Sequence, residues 1–262
     1  MTREAVIHNL RGKIDDTTYD RIQTFFPISN DCPTCHGFGT YHLDGKEFGC
    51  DCELQRLLQR HYFAANIGRE YHDIGLKDFI GSDRAVVVPA VEEYLANFDS
   101  KFHYGLGMTF SGGVGTGKTF AMSCILKELI KRGFDVYLMS FEEMITTWAS
   151  AWQDKETKMQ LETRLKSVDV LGLDEIKTDN RSDSFLAHGF DSIIRHRTAN
   201  LLPTLITTNM TSSAIQQIFP KVHSLLSPRN TKIELEGKDL RKDEIRFRIL
   251  ELEASGDRRP IC

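Results

Sequence analysis

The sequence predicts an α/β protein in which a small metal-binding domain precedes a three-layer domain, and three features of the 262-residue chain lead to this fold class. From position 106 onward, apolar runs of strand length alternate with stretches of helical periodicity, as in a parallel sheet covered by helices. A glycine-rich loop separates the first of these strands from a helix. Four cysteines in two close pairs precede the alternating region, so we predict a metal-binding domain over 1–65 and an α/β domain over 66–262.

The composition is that of an ordinary soluble protein, with 40% hydrophobic and 27% charged residues. No apolar run approaches the roughly 20 residues that span a bilayer, and the N-terminus lacks the apolar core of a signal peptide. We therefore expect a cytoplasmic protein without a membrane partner. Because the net charge is −4, any binding of nucleic acid must use a local patch or a pore formed on assembly.

The N-terminal 30 residues carry a weak helical pattern, with an apolar face that would pack within its own domain or bind a partner. The positions on this face are Ile14, Tyr19, Ile22, Phe25 and Phe26.

The cysteines form a C-x₂-C pair, Cys32 and Cys35, and a C-x-C pair, Cys50 and Cys52, with fourteen residues between the two pairs. Two close pairs of thiolates suit a tetrahedral structural Zn²⁺, because thiolates favour zinc over hard cations and four protein ligands leave no open position. His36 or His42 could replace one cysteine. The alternatives are unrelated buried thiols or a redox pair.

The remaining elements follow from periodicity, turn residues and caps. We predict helices over 53–65, from Pro89, over 120–130, 141–153, 157–167 and 183–199, from after Thr211 to Phe219, a short helix beginning at Pro220, and a charged terminal helix after Arg241. We predict strands ending at 110 and over 135–140, 168–175, 203–209 and 231–237.

The glycine-rich loop matches G-x-x-x-x-G-K-[ST], and it consists of Gly112, Gly113, Val114, Gly115, Thr116, Gly117, Lys118 and Thr119. Its backbone N–H groups and the following helix N-terminus, which begins with Phe120, are suited to hold an anion. In this motif the lysine reaches the β- and γ-phosphates of a nucleotide, and the hydroxyl residue binds Mg²⁺. The alternative is a glycine-rich turn that binds nothing.

Two other polar strand ends belong to the same predicted site. The apolar run 168–175 ends in Asp174 and Glu175. A buried strand would bring Asp174 to the Mg²⁺ ion, and Glu175 would polarise the water that attacks the γ-phosphate. Asn209 ends the strand 203–209, from which it would contact that water or the γ-phosphate.

Trp148 and Trp152 lie four residues apart on one face of the helix predicted over 141–153. Such residues pack in a core or an interface, or they stack on the bases of a single strand.

Four motifs together resemble the AAA+ ATPases, specifically the DnaC-like helicase loaders and the IstB-like transposition ATPases. They are GGVGTGKT (112–119), VLGLDE (170–175), PTLITTN (203–209) and IELEGKDLR (233–241), and the similarity covers about residues 66–245. The resemblance implies a P-loop AAA+ domain and an ATP-dependent oligomer that handles single-stranded DNA and a replicative helicase. It also implies that Asn209 is a sensor of the nucleotide and that Arg241 is a second, cis-acting sensor. The cysteines preceding the ATPase resemble those of replication loaders, many of them phage-encoded, more than IstB.

The chain departs from this family at the trans-acting arginine finger. Relatives carry it just before the last strand, whereas residues 223–226 here are His-Ser-Leu-Leu. Arg229 is the nearest substitute, and Arg197 is the other candidate.

We therefore expect an ATPase that loads a replicative helicase onto single-stranded DNA, or else an IstB-like regulator that delivers a transposase. A third possibility is a zinc-knuckle adaptor with a vestigial ATPase. The intact Lys118, Asp174 and Glu175 argue against it.

Overall fold

The computed structural model describes residues 2–10, 32–150, 155–177 and 184–241. The predicted apolar face at 14–26, Trp152 and the terminal helix after Arg241 lie outside these ranges.

A parallel five-stranded sheet forms the centre of the α/β domain, and a two-stranded hairpin lies near the N-terminus. The strands are β1 (Thr40–Leu43), β2 (Lys46–Gly49), β3 (Gly107–Gly112), β4 (Val136–Ser140), β5 (Val170–Ile176), β6 (Thr204–Thr208) and β7 (Asn230–Leu235). The order in the large sheet is β4-β5-β6-β3-β7. Because all its pairings are parallel, the strands' carboxyl ends meet at one edge.

Helices cover both faces of the sheet, as predicted for a three-layer fold. They are α1 (Arg3–Leu10), α2 (Asp51–Ala64), α3 (Arg84–Ala96), α4 (Phe98–His103), α5 (Lys118–Lys131), α6 (Phe141–Ser150), α7 (Lys155–Ser167), α8 (Ser184–Ala199), α9 (Ser212–Ile218) and α10 (Pro220–Leu226). Helices α1 through α5 pack on one face of the sheet and form one hydrophobic core with it. Helices α6 through α10 pack on the other face of the sheet and form a second core. Among the described residues no helix is both long and apolar enough to cross a membrane.

Helix α2 joins the cysteine-rich segment to the sheet. Its Tyr62 and the α1 residues Val6 and Leu10 belong to the same core as α5. After α2, the carbonyl of Ala65 accepts a hydrogen bond from the backbone N–H of Leu138 at 2.9 Å, so this segment covers the edge strand β4. Independent folding of residues 1–65 stays a prediction.

Helix α3 begins five residues before the predicted start at Pro89, which lies inside it. Proline removes the hydrogen bond to the carbonyl four residues earlier. Ala85, which bears that carbonyl, and Pro89 are both exposed, so water can replace the lost donor.

Trp148 is a core residue and does not stack on nucleic acid. Its side chain is 2% exposed and packs within the second core. A methyl group on Gly189 would lie 2.8 Å from the indole ring, so this glycine leaves the space that the ring fills.

Candidate functional site

The glycine-rich loop connects β3 to α5 through a tight backbone path. Gly115 and Gly117 have φ angles of +74° and +92°, which favour glycine. A methyl group on Gly117 would lie 2.8 Å from the Phe79 ring, so a side chain is excluded at that position as well. The loop therefore delivers the amino end of α5 to the carboxyl edge of the sheet, where an anion is stabilised by the helix dipole.

Lys118 is buried against its own loop. Its Nζ donates to the carbonyl oxygen of Gly112 at 3.0 Å and also to that of Gly113. Burial lowers the pKa of Lys118, while the nearby carboxylates of Asp174 and Glu175 oppose this shift. A phosphate group would supply the ammonium with a charged partner.

Thr119 and Asp174 offer the oxygen atoms that Mg²⁺ requires. The Thr119 Oγ1 hydroxyl donates to Asp174 Oδ1 at 2.9 Å, and the hydroxyl of Thr207 also donates to that oxygen. Neighbouring ligands of an octahedral Mg²⁺ lie about 3 Å apart, so these oxygens fit a shared ion. Burial raises the pKa of Asp174, and the hydrogen bonds from the two threonines lower it.

Glu175 adopts an unusual backbone conformation next to Asp174. Its φ angle is +56°, and the pairing of β5 with β6 shifts register between Leu173 and Ile176. Its N–H donates to Thr207 Oγ1 at 2.8 Å. The bulge turns the exposed side chain of Glu175 away from the strand pairing, and such local strain is common at functional sites.

Thr207 is a site residue that the sequence reasoning missed. It is 1% exposed and joins β6 to both Asp174 and Glu175. Its signal was the pair of threonines just before Asn209, because buried hydroxyls need partners.

A cavity of about 370 Å³ brings most of the predicted nucleotide-binding residues together. Its predicted lining residues are Val114, Gly115, Thr116, Gly117, Lys118, Thr119, Phe120, Asp174, Glu175, Asn209 and Arg241. The lining does not include Gly112 or Gly113, whose carbonyls accept hydrogen bonds from Lys118 Nζ. Residues from the segment after α2 and from the β4–α6 junction complete the wall without a prior sequence signal, namely Asn66, Gly68, Glu70, Tyr71, Ser140 and Glu143.

The prediction that Arg197 is a catalytic arginine is wrong. Its side chain is 0% exposed, and it donates to Thr204 Oγ1 and to the carbonyls of Leu165, Val168, Asp169 and Pro203. These partners lie where β5 and β6 begin, at the sheet edge opposite the cavity. Arg197 is thus a structural residue that satisfies buried carbonyls.

Arg229 lies in the turn before β7, as expected. It is half-buried, and its guanidinium donates to the Leu225 carbonyl at 3.3 Å. Its own carbonyl accepts from Gly107 N at the start of β3. Arg229 is therefore remote from the cavity of its own chain, and its action on a neighbour stays a prediction.

The four cysteines of the N-terminal segment meet, as predicted, in one cluster. Their Sγ atoms all lie within 4.8 Å of one another, and all four side chains are buried. The Cys32–Cys50 and Cys35–Cys52 Sγ distances are 3.6 and 3.3 Å. Thiolates around a tetrahedral Zn²⁺ lie roughly 3.8 Å apart, so the cluster fits zinc. Among the described residues, neither His36 nor His42 belongs to it.

Backbone geometry prepares part of this cluster for metal binding. A hydrogen bond from the Cys35 backbone lowers the pKa of Cys32 to about 6. Gly39 N donates to Cys35 Sγ at 3.3 Å. Burial, by contrast, raises the pKa of Cys52. A cation would supply the charge that makes four close thiolates compatible.

The comparisons with known proteins agree with this geometry. No protein-family model matches the chain. DnaI of Bacillus subtilis (strain 168), a replicative helicase loader, is 22% identical over 187 residues, which is 71% of this chain and 57% of DnaI. DnaC of Escherichia coli (strain K12), also a replicative helicase loader, is 28% identical over 120 residues, 45% of this chain and 46% of DnaC. The chain thus spans about half the length of these relatives.

Solved structures share the fold. The crystal structure of the DnaC helicase loader has a TM-score of 0.58 at 22% identity, and the match covers 64% of this chain and 100% of the DnaC chain in that structure. DnaA from Aquifex aeolicus bound to AMPPCP has a TM-score of 0.55 at 20% identity and covers 70% of this chain and 56% of DnaA. The parallel sheet and the glycine-rich loop agree with these comparisons: the chain is similar in sequence to two replicative helicase loaders and shares the fold of the DnaC and DnaA structures.

Proposed function

We propose that the chain is an ATP-dependent DNA replication protein that loads a replicative helicase onto single-stranded DNA. The observation that carries the proposal is the contact of Thr119, Asp174 and Thr207 beside Glu175, because it brings oxygen atoms suited to Mg²⁺ next to a candidate general base. The similarity to two proteins named replicative helicase loaders supplies the biological context. The relatives reported above include no transposition regulator.

The residues divide the work of ATP hydrolysis between them. The loop N–H groups and Lys118 would hold the β- and γ-phosphates, and Thr119 with Asp174 would hold Mg²⁺. Mg²⁺, when bound, neutralises the phosphate charge. Glu175 would accept a proton from the attacking water, because it is exposed at the carboxyl edge next to Asp174.

The proposal also includes a zinc ion, the helicase, other copies of the chain and single-stranded DNA. The cysteine cluster would hold a structural zinc ion, and the domain built around it would bind the helicase. The ATPase domain would form an ATP-dependent oligomer on single-stranded DNA in the cytoplasm of a bacterial cell. Phage origin would be compatible with both roles.

A loading assay with the replicative helicase of the source cell tests this function. The helicase is mixed with closed circular single-stranded DNA, ATP and the full chain, and DNA-bound helicase is measured after gel filtration. We expect more bound helicase with the wild-type chain and no increase with Lys118→Ala. Lys131→Ala is the matched control, because Lys131 lies on the same helix outside the cavity lining, and its side chain forms a local ion pair with Glu128 at 3.2 Å. Equal retention with and without the chain would contradict the proposal.

A further inference from the structure

The segment 236–241, which we call the strap, follows β7 and crosses the glycine-rich loop. Its first two backbone N–H groups donate to one carboxylate: Glu236 N to Asp83 Oδ1 at 3.3 Å and Gly237 N to Asp83 Oδ2 at 2.8 Å. A methyl group on Gly237 would lie 2.6 Å from Asp83 Oδ2, so glycine allows this close approach. Asp83 therefore ties the strap to the start of α3.

The position of Asp83 makes this use of its carboxylate unusual. It is the residue before α3, where an aspartate ordinarily accepts a hydrogen bond from the first turn of its own helix. Its side chain makes no such capping bond to α3. The half-buried carboxylate instead binds backbone groups that follow it by more than 150 positions.

The far end of the strap rests directly on the glycine-rich loop. Leu240 N donates to the Gly115 carbonyl at 2.9 Å. A methyl group on Gly115 would lie 1.9 Å from Asp239 Oδ1, so the strap and the glycine-rich loop are in close contact. Asp239 Oδ1 also accepts from Arg241 N at 3.1 Å, which orients the backbone at Arg241.

Arg241 then enters the cavity from the end of the strap. Its side chain lines the cavity together with Lys118, and its positive charge contributes to lowering the pKa of that lysine. Arg241 is exposed, so its long side chain has many rotamers unless the backbone that carries it is held. Fixing the backbone before ATP arrives reduces the entropy lost on binding.

We infer that Asp83 is a positioning residue for Arg241: by binding the strap at Glu236 and Gly237, it holds Arg241 where it can contact the phosphates of ATP. This inference rests on the proposed binding of ATP. If Asp83 only supported α3, the effect of Asp83→Ala on ATP affinity would be the same with and without Arg241.

A double-mutant cycle separates the two roles, with the dissociation constant of ATP and the melting temperature measured for each variant. We expect Asp83→Ala and Arg241→Ala each to weaken ATP binding on the order of tenfold, within the range for coupled residues. In the Arg241→Ala background, Asp83→Ala should weaken binding less than about twofold, since the residue that it positions is gone. Asp83→Asn keeps one oxygen acceptor and should lie between Asp83→Ala and wild type.

Asp169→Ala is the matched control. Asp169 is also half-buried, and its Oδ2 accepts from the backbone N–H of Asp135 at 2.8 Å, but at the sheet edge opposite the cavity. We expect it to leave ATP affinity unchanged. Gly237→Ala, which would push the strap away from Asp83, enters the same cycle if Asp83→Ala does not fold.

The outcomes distinguish failure of this inference from failure of the proposed function. Independent losses that multiply in the double variant, or wild-type affinity in both Asp83→Ala and Gly237→Ala, would overturn the positioning role alone. Wild-type affinity in Arg241→Ala would overturn the role of Arg241 and this inference with it. If the wild-type chain does not bind ATP, the proposed function fails as well.

Discussion

Glu175 combines a chemical role with a strained backbone. A non-glycine residue in the left-handed region costs on the order of 1–3 kcal/mol, and here the bulge and the hydrogen bond to Thr207 maintain that conformation. The strain directs the carboxylate away from the strand pairing and toward the cavity. Stability and activity therefore make opposite demands at this position.

Two substitutions at Glu175 test these demands separately. Glu175→Gln should retain ATP binding and lose hydrolysis by about 10²–10⁴-fold, because the general base is removed while Asp174 stays. Glu175→Gly should also lose hydrolysis but exceed Glu175→Gln in stability by about 1 kcal/mol, since glycine adopts this φ without a steric cost. Steady-state turnover and urea unfolding are the measurements. Wild-type turnover in Glu175→Gln would remove it from the catalytic role.

Arg197 is important for stability rather than catalysis. Arg197→Met should lower the free energy of unfolding by at least about 3 kcal/mol, because several buried carbonyls lose their donor together. Arg195→Met, on the same helix, should cost less than about 0.5 kcal/mol, since Arg195 is exposed and its ion pair with Asp191 is long at 3.6 Å. Urea unfolding of both variants checks this contrast, which equal stabilities would contradict.

At the scale of elements, the sequence predicted most of what local patterns encode. The strand–loop–helix around Lys118 and the order of later strands and helices agree with the structure, because each depends on neighbouring residues. The edge cover at Ala65 and the strap at Gly237 could not be predicted, because they join segments distant in sequence. Arg197 was misassigned because its partners are carbonyls, which no residue type reveals.

Helix α2 contributes one cysteine to the cluster and packs against α5. Cys50 precedes the helix and Cys52 lies in its first turn, whereas Cys32 and Cys35 come before the β1–β2 hairpin. A bound metal would therefore join the hairpin to the helix. The carboxyl end of α2 has separate support, since Tyr62 is part of the large core.

We predict about one zinc ion per chain, lost in Cys50→Ser. In that variant the amides of the β1–β2 hairpin and the first turn of α2 should exchange rapidly, because metal binding supplies much of the folding energy of such a module. The carboxyl end of α2 should stay protected, and ATP binding should survive. Metal analysis and hydrogen exchange are the measurements. Cys124→Ser, on α5 outside the cluster, should retain the metal. A wild-type chain without zinc after chelator-free purification would contradict the assignment.

At the scale of the whole molecule, the parallel sheet holds two arginines at its opposite edges. Arg241 lies at the carboxyl edge with the cavity, whereas Arg229 lies where β7 begins, at the opposite edge. The six residues of β7 span roughly 20 Å, which is farther than an arginine side chain reaches. Arg229 can therefore act on ATP only if a neighbouring chain presents its own cavity to it.

We predict that Arg229→Ala leaves the ATP affinity of the isolated chain nearly unchanged but removes the hydrolysis that rises with protein concentration on single-stranded DNA. An arginine supplied by a neighbour accelerates hydrolysis by on the order of 10³–10⁵-fold where it has been measured. Arg195→Ala is the control, because Arg195 is exposed on α8 and its ion pair with Asp191 is long at 3.6 Å. ATPase rate against protein concentration, with DNA present, compares the two variants. If Arg229→Ala keeps the concentration-dependent rate, the finger is not Arg229. Because Arg197 is fully buried, an arginine other than these two candidates would then have to complete the neighbouring site.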